Sequence, residues 1–188
     1  MDEQTKQLVE AIESSPEGTF KLFHTTEEEP EVERSMANME DLSKRITHAK
    51  NQNCLIEVIS LRIQYMDVWL RVFFENVPHE ETRQQEFGRL LKQCFKLGLE
   101  KSLYDQIHKF NKNRVKAIHG YLIGLTSYDE LEDVINESDG LSEKLAEFVV
   151  TNSGETVTSD FVNQHHSRGD TVYNIRNLLQ NLQSRASI

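Results

Sequence analysis

Residues 54–75 read CLIEVISLRIQYMDVWLRVFFE. Ile56, Ile59, Ile63, Met66, Leu70 and Phe73 recur at intervals of three and four, the period of an amphipathic α-helix. A second apolar stripe, Leu55, Val58, Leu61, Tyr65, Val68 and Val72, runs beside the first. A helix apolar on two faces belongs at the centre of a bundle or at a subunit interface. The densest apolar run, VWLRVFF, is broken by Arg71 and flanked by Asp67 and Glu75, which excludes a transmembrane span. Arg62 and Arg71 are expected to pair with Asp67 or Glu75 along the same helix.

Outward from this segment the pattern stays helical. Glu31 to Glu75 contains neither proline nor glycine, and a break is expected within Thr47–Asn53, where polar residues dominate. NVPHEET closes the central helix. Phe87, Leu90, Leu91, Cys94 and Phe95 mark the next, ended by Gly98. Ser102 and Asp105 read as a capping pair ahead of a helix bearing Leu103, Ile107, Phe110, Ile118 and Leu122, which Gly124 stops. Ser127-Tyr-Asp-Glu130 is a capping box before Leu131, Val134 and Ile135, and Gly140 precedes a last apolar helix over 141–150. TNSGETVTSD reads as loop. The flanks add a short helix over 4–14, a turn in HTTEEEP capped by Thr25 or Thr26, and a marginal helix in NIRNLLQNLQSRASI. These elements predict an all-α fold, an up-and-down helical bundle with short connections and extra terminal segments. The expected organisation is an acidic, helical N-terminal extension over 1–49, a bundle over 50–150 and a polar tail over 151–188.

The chain has 188 residues and a formal net charge of −10, which argues against general affinity for nucleic acid. The charge is unevenly spread. Residues 1–41 hold twelve acids and three bases, and 129–160 hold ten acids and one base. Residues 83–119 hold nine Lys or Arg and three acids. The acidic N-terminal segment is therefore expected to fold back near the basic middle. Cys54 and Cys94 stand singly in apolar context and read as reduced core residues, and MDEQTKQLVEAIESS lacks an apolar leader core, so a cytoplasmic location is expected.

The basic middle contains FNKNRVKAIHGYL, residues 110–122. Arg114 and His119 are five residues apart, about 7.5 Å of helical rise and about 140° of rotation, so they do not converge on one atom within a single straight helix. The segment KSLYDQIHKFNKNRVKAIHGYLIGLTSYDELEDV resembles the C-terminal half of a HEPN domain, through FNKNR, AIHG and the capped SYDEL helix, and 54–74 resembles that family's long apolar helix. The resemblance covers about 50–138. It implies a helical bundle that forms a symmetric homodimer, with two Arg-x4-6-His motifs meeting in a composite cleft. It further implies a metal-independent endoribonuclease of toxin or anti-phage type. Arg114 would hold the scissile phosphate and His119 would move a proton at the ribose 2′-hydroxyl or the leaving 5′-oxygen. Val115 follows the arginine where active members commonly carry a polar residue, and members without nuclease activity also exist.

Asn111, Lys112, Asn113, Lys116 and Tyr121 complete the candidate substrate-binding set, with Tyr104 and Tyr121 as rings able to stack on bases. No cofactor and no metal site are expected: His108 after Asp105 reads as a surface histidine, and His165–His166 lacks a third ligand. Two readings result. One is a ribonuclease acting on RNA as a homodimer, silenced by an antitoxin or other regulatory partner and independent of membranes. The other is a catalytically inactive helical dimer that binds RNA, a nucleotide or a partner protein.

Overall fold

Helices dominate the computed structural model, which describes residue 10, residues 19–23 and residues 29–158. In chain order the elements are β1 (Thr19–Leu22), α1 (Glu29–Asn51), α2 (Leu55–Glu75), α3 (Phe87–Lys96), α4 (Lys101–Leu122), α5 (Tyr128–Glu137), α6 (Leu141–Asn152) and β2 (Glu155–Thr158). The chain divides into two compact units, one spanning Asn38–Asn152 and the other made of 1–37 with 153–188. None of the described helices is long and apolar enough to cross a membrane.

The helical unit is built around α2, which packs against α3, α4, α5 and α6. Ile59, Met66, Leu70 and Phe73 of the first stripe are buried along it, with Phe74 beside them, and Leu55, Val58 and Tyr65 are buried on the second. Its surroundings supply Leu90, Leu91 and Cys94 from α3, Leu103, Ile107 and Phe110 from α4, Leu131 and Ile135 from α5, and Leu141, Leu145 and Val149 from α6. Ile56 and Ile63 of the first stripe and Leu61, Val68 and Val72 of the second remain partly exposed. Burying a large aliphatic or aromatic side chain contributes about 1.5–3 kcal/mol, so this one helix anchors the unit.

Breaks between helices follow local chemistry. The α1–α2 turn falls where the polar stretch ends, with Asn53 at φ 55°, a left-handed conformation that Asn tolerates. The Tyr128 hydroxyl fixes this turn, donating to the Asn53 carbonyl at 2.5 Å and accepting the Leu55 amide at 2.9 Å. Gly98, Gly124 and Gly140 all take positive φ at helix ends. The Ser127 capping box forms at the start of α5, with the Glu130 amide on Ser127 Oγ at 3.3 Å and the Ser127 amide on Glu130 Oε2 at 2.6 Å.

Several expectations are corrected. Arg62 does not pair with Asp67 or Glu75. It is 7 % exposed and reaches across to the α5–α6 junction, donating to the Ile135 carbonyl and to Ser138 Oγ, both at 2.6 Å, and pairing with Asp139. Lys50 reaches the same carboxylate at 2.8 Å. Burial alone would raise the Asp139 carboxyl, but hydrogen bonds from Lys50 and Arg62 outweigh it and hold the group below its ordinary range. Arg71 does take Asp67, at 2.6 Å, while Glu75 pairs with Arg83. Ser102 does not cap α4: its hydroxyl donates to Glu100 at 2.6 Å, and Asp105 is engaged by Lys101. Cys54 is exposed, at the end of the α1–α2 turn. Cys94 is buried and pushed up to about 12 by that burial.

The TNSGETVTSD segment, expected as loop, contains β2. It pairs antiparallel with β1 from Thr19 opposite Thr158 to Leu22 opposite Glu155. Thr156, Val157 and Thr158 suit a strand, but a strand also needs a ladder partner, which here comes from far upstream in the sequence. The expected helices over 4–14 and in the C-terminal tail, the Thr25/Thr26 cap and the fold-back of the acidic N-terminal segment lie outside the described residues.

Candidate functional site

The candidate site lies on α4, and its side chains fall on different sides of that helix. Leu103, Ile107, Phe110 and Ala117 point into the core. Arg114 shares the edge of that inward face and is half-buried. Its Nε is shielded from solvent without a hydrogen-bond partner, and the guanidinium makes no ion pair with any described residue. Desolvation by burial lowers its pKa from the ordinary value, and no carboxylate offsets that effect. His119 is exposed further along the helix, and its ring meets no described polar group. Arg114 and His119 therefore do not come together within one copy, as their spacing requires.

The remaining candidates divide in the same way. Asn111 is half-buried one turn before Arg114, and its Oδ1 has no partner. It lies against the first turn of α3, where a Cβ at Gly88 would stand in ordinary contact, 3.6 Å from Asn111 Nδ2. Lys112 and Lys116 are exposed and make no ion pair with described residues. Asn113 turns towards α5, donating to Glu137 Oε2 at 3.1 Å, and Lys109 takes the same carboxylate at 3.1 Å. Tyr121 is 39 % exposed and meets Tyr128 edge-on, with ring centroids 5.8 Å apart. Thus Arg114 and Asn111 sit on one side of α4, Lys112, Lys116 and His119 on its solvent side, and Asn113 on the α5 side.

After His119 the chain folds sharply back. The Leu125 and Thr126 amides both donate to the Gly120 carbonyl, at 2.7 and 3.2 Å. Only glycine fits at 120, because a Cβ there would lie 2.1 Å from Thr126 Oγ1. This return leaves Leu122, Ile123 and Leu125 exposed beside the histidine.

Two features of the site were not legible from spacing. His108 is not a free surface histidine. It is half-buried, lies parallel to Tyr104 with centroids 5.6 Å apart, and keeps a shielded Nδ1 without a partner. Tyr104 in turn stacks on Phe95 of α3 at 4.4 Å. The Tyr104–His108 spacing was visible as an i,i+4 pair, but Phe95 joins it only because the short turn after α3 brings the two helices side by side. Among the described residues, no group of three or more His, Cys, Asp or Glu is placed to hold a metal. No protein-family model, no curated protein and no solved structure matches this chain.

Proposed function

We propose that this protein handles RNA phosphodiesters through Arg114, as a HEPN-type, metal-independent endoribonuclease that works as a homodimer. The observation that carries this reading is the state of Arg114. A half-buried guanidinium with a shielded, unpaired Nε and no carboxylate is unusual, since burying an unpaired polar group costs about 1–3 kcal/mol. The neighbouring Lys109 is paired with Glu137, which also accepts a hydrogen bond from the Asn113 amide, while Arg114 is left open for an anion. Arginine suits a phosphate because its planar fork donates two parallel hydrogen bonds.

His119 is the proton carrier in this reading. Its separation from Arg114 means that one copy's histidine would act with the other copy's arginine. The exposed apolar group Leu122, Ile123 and Leu125 beside His119 supports such a pairing, as a surface a second copy would cover. Attack by the 2′-hydroxyl would break the P–O5′ bond and leave a 2′,3′-cyclic phosphate. Its proton would pass to a general base, and the leaving oxygen would receive one from an acid. Restraint by an antitoxin or similar partner in the cytoplasm belongs to the same reading.

A second reading, a non-catalytic dimer that binds RNA, a nucleotide or a partner protein, is favoured by Val115. It follows Arg114 directly, is 42 % exposed and offers no polar group to the site. Purified protein with total RNA decides between them. The ribonuclease reading expects cyclic-phosphate ends in the presence of EDTA, and a loss of about 10²–10⁴-fold in rate for His119→Ala with the fold unchanged. Arg114→Lys should lose activity as well. Absence of cleavage by the wild type leaves the binding reading, and equal cleavage by His119→Ala removes His119 from the mechanism.

A further inference from the structure

We propose that the Phe95–Tyr104–His108 ring ladder is a stacking platform for an unpaired RNA base, ending six residues before Arg114 on α4; the inference rests on the RNA-handling reading above. The ladder is continuous. Phe95 and Tyr104 stack with centroids 4.4 Å apart and planes 26° apart, and Tyr104 and His108 stack at 5.6 Å and 6°. Phe95 at one end is 38 % exposed, although a ring of that size inside a bundle is normally covered. At the other end, no described ring covers the second face of His108.

Beyond His108 the helix presents groups that lack partners. Asn111 Oδ1 and Arg114 Nε are both shielded and unsatisfied, like His108 Nδ1 itself. In an α-helix three residues rise about 4.5 Å and turn about 300°, so His108, Asn111 and Arg114 form a slow spiral about 9 Å long. A base stacked on His108 would lie beside the Asn111 amide, whose oxygen accepts and whose nitrogen donates to base edges. Its sugar–phosphate would then run towards Arg114. Exposed Lys112 and Lys116 border this path without ion pairs to described residues. Rings that stack on base faces, an amide and an unpaired guanidinium in sequence are what a single strand requires. A duplex, whose bases are already stacked, would not engage the ladder.

The test is binding of a fluorescent 2′-O-methyl oligouridine of about ten nucleotides, within the usual range of single-strand site sizes, followed by anisotropy. The methyl group blocks cleavage, so binding is read independently of catalysis. Removing one base–aromatic stack weakens binding about five- to hundredfold, which is the loss expected for His108→Ala and for Phe95→Ser. His108→Phe retains the ring and should bind as wild type does. An abasic strand of equal length, offered to the wild type alone, should bind weakly by a comparable factor. Melting curves for each variant separate loss of the ladder from loss of the fold. If the abasic strand binds as tightly as oligouridine, or if His108→Ala binds normally, the platform is refuted while RNA handling by Arg114 stands. If the wild type binds no oligonucleotide at all, both readings fall.

Discussion

Two arginines, Arg62 on α2 and Arg114 on α4, have opposite surroundings. Arg62 is almost fully buried, and each side of its guanidinium is used: Ile135 and Ser138 on one nitrogen, Asp139 on the other. Arg114 is half-buried and uses none of its donors on the described chain. Physical chemistry assigns them different tasks. A buried charge with both terminal nitrogens engaged ties elements together, here α2 to the α5–α6 junction. A half-buried charge whose Nε lacks a partner contributes no such tie, and it is the group on which the proposed RNA-handling reading rests.

Substitutions sharpen this contrast. Arg62→Met should have the largest effect on stability. It deletes several charge-assisted hydrogen bonds at once and leaves the Ile135 carbonyl with only the Ser138 hydroxyl at 3.0 Å, lowering unfolding free energy by about 3 kcal/mol in urea titrations. Asp139→Asn should come next, at about 1–2 kcal/mol, since Arg62 keeps its other two acceptors. That difference should depend on pH. An unfolded aspartate titrates near 3.9 and the folded Asp139 below its ordinary range, so its contribution is whole above about pH 4 and fades as the pH falls further. Stability profiles of the wild type and Asp139→Asn should therefore run parallel near neutrality and converge in acid. Arg114→Met should give the smallest change, and of opposite sign: a gain of up to about 1 kcal/mol, because an unpaired polar group gives way to an apolar one of similar length. A large loss of stability in Arg114→Met would place Arg114 in the same class as Arg62 and end the contrast.

What the sequence revealed and concealed follows the range of each interaction. The α2 stripes, the glycine stops and the Ser127–Glu130 box are written within a few residues, and each appears as the local pattern predicts. The helical character of the chain follows from them. Arg62 was misassigned because the nearest carboxylates along its own helix are Asp67 and Glu75, while its true partner lies 77 residues away. β2 was missed for the same reason, as its pairing with β1 spans most of the chain. At the candidate site, the rotation between Arg114 and His119 was deducible from helix geometry alone. The burial of Arg114 and the continuity of Phe95, Tyr104 and His108 were not, because they depend on how α3 lies against α4. Val115 was legible as apolar, and its exposure is a property of the packed helix.

The Tyr128 hydroxyl, bridging the Asn53 carbonyl and the Leu55 amide, has a consequence for the order in which the molecule loosens. Leu55 lies in the first turn of α2, where amides have no intrahelical acceptor and normally exchange with solvent at once. Here that amide is held by a side chain 73 residues away. Its protection therefore does not report fraying of α2. It reports whether the start of α5 is still docked, so a single slow hydrogen at the head of the central helix times the opening of a distant one.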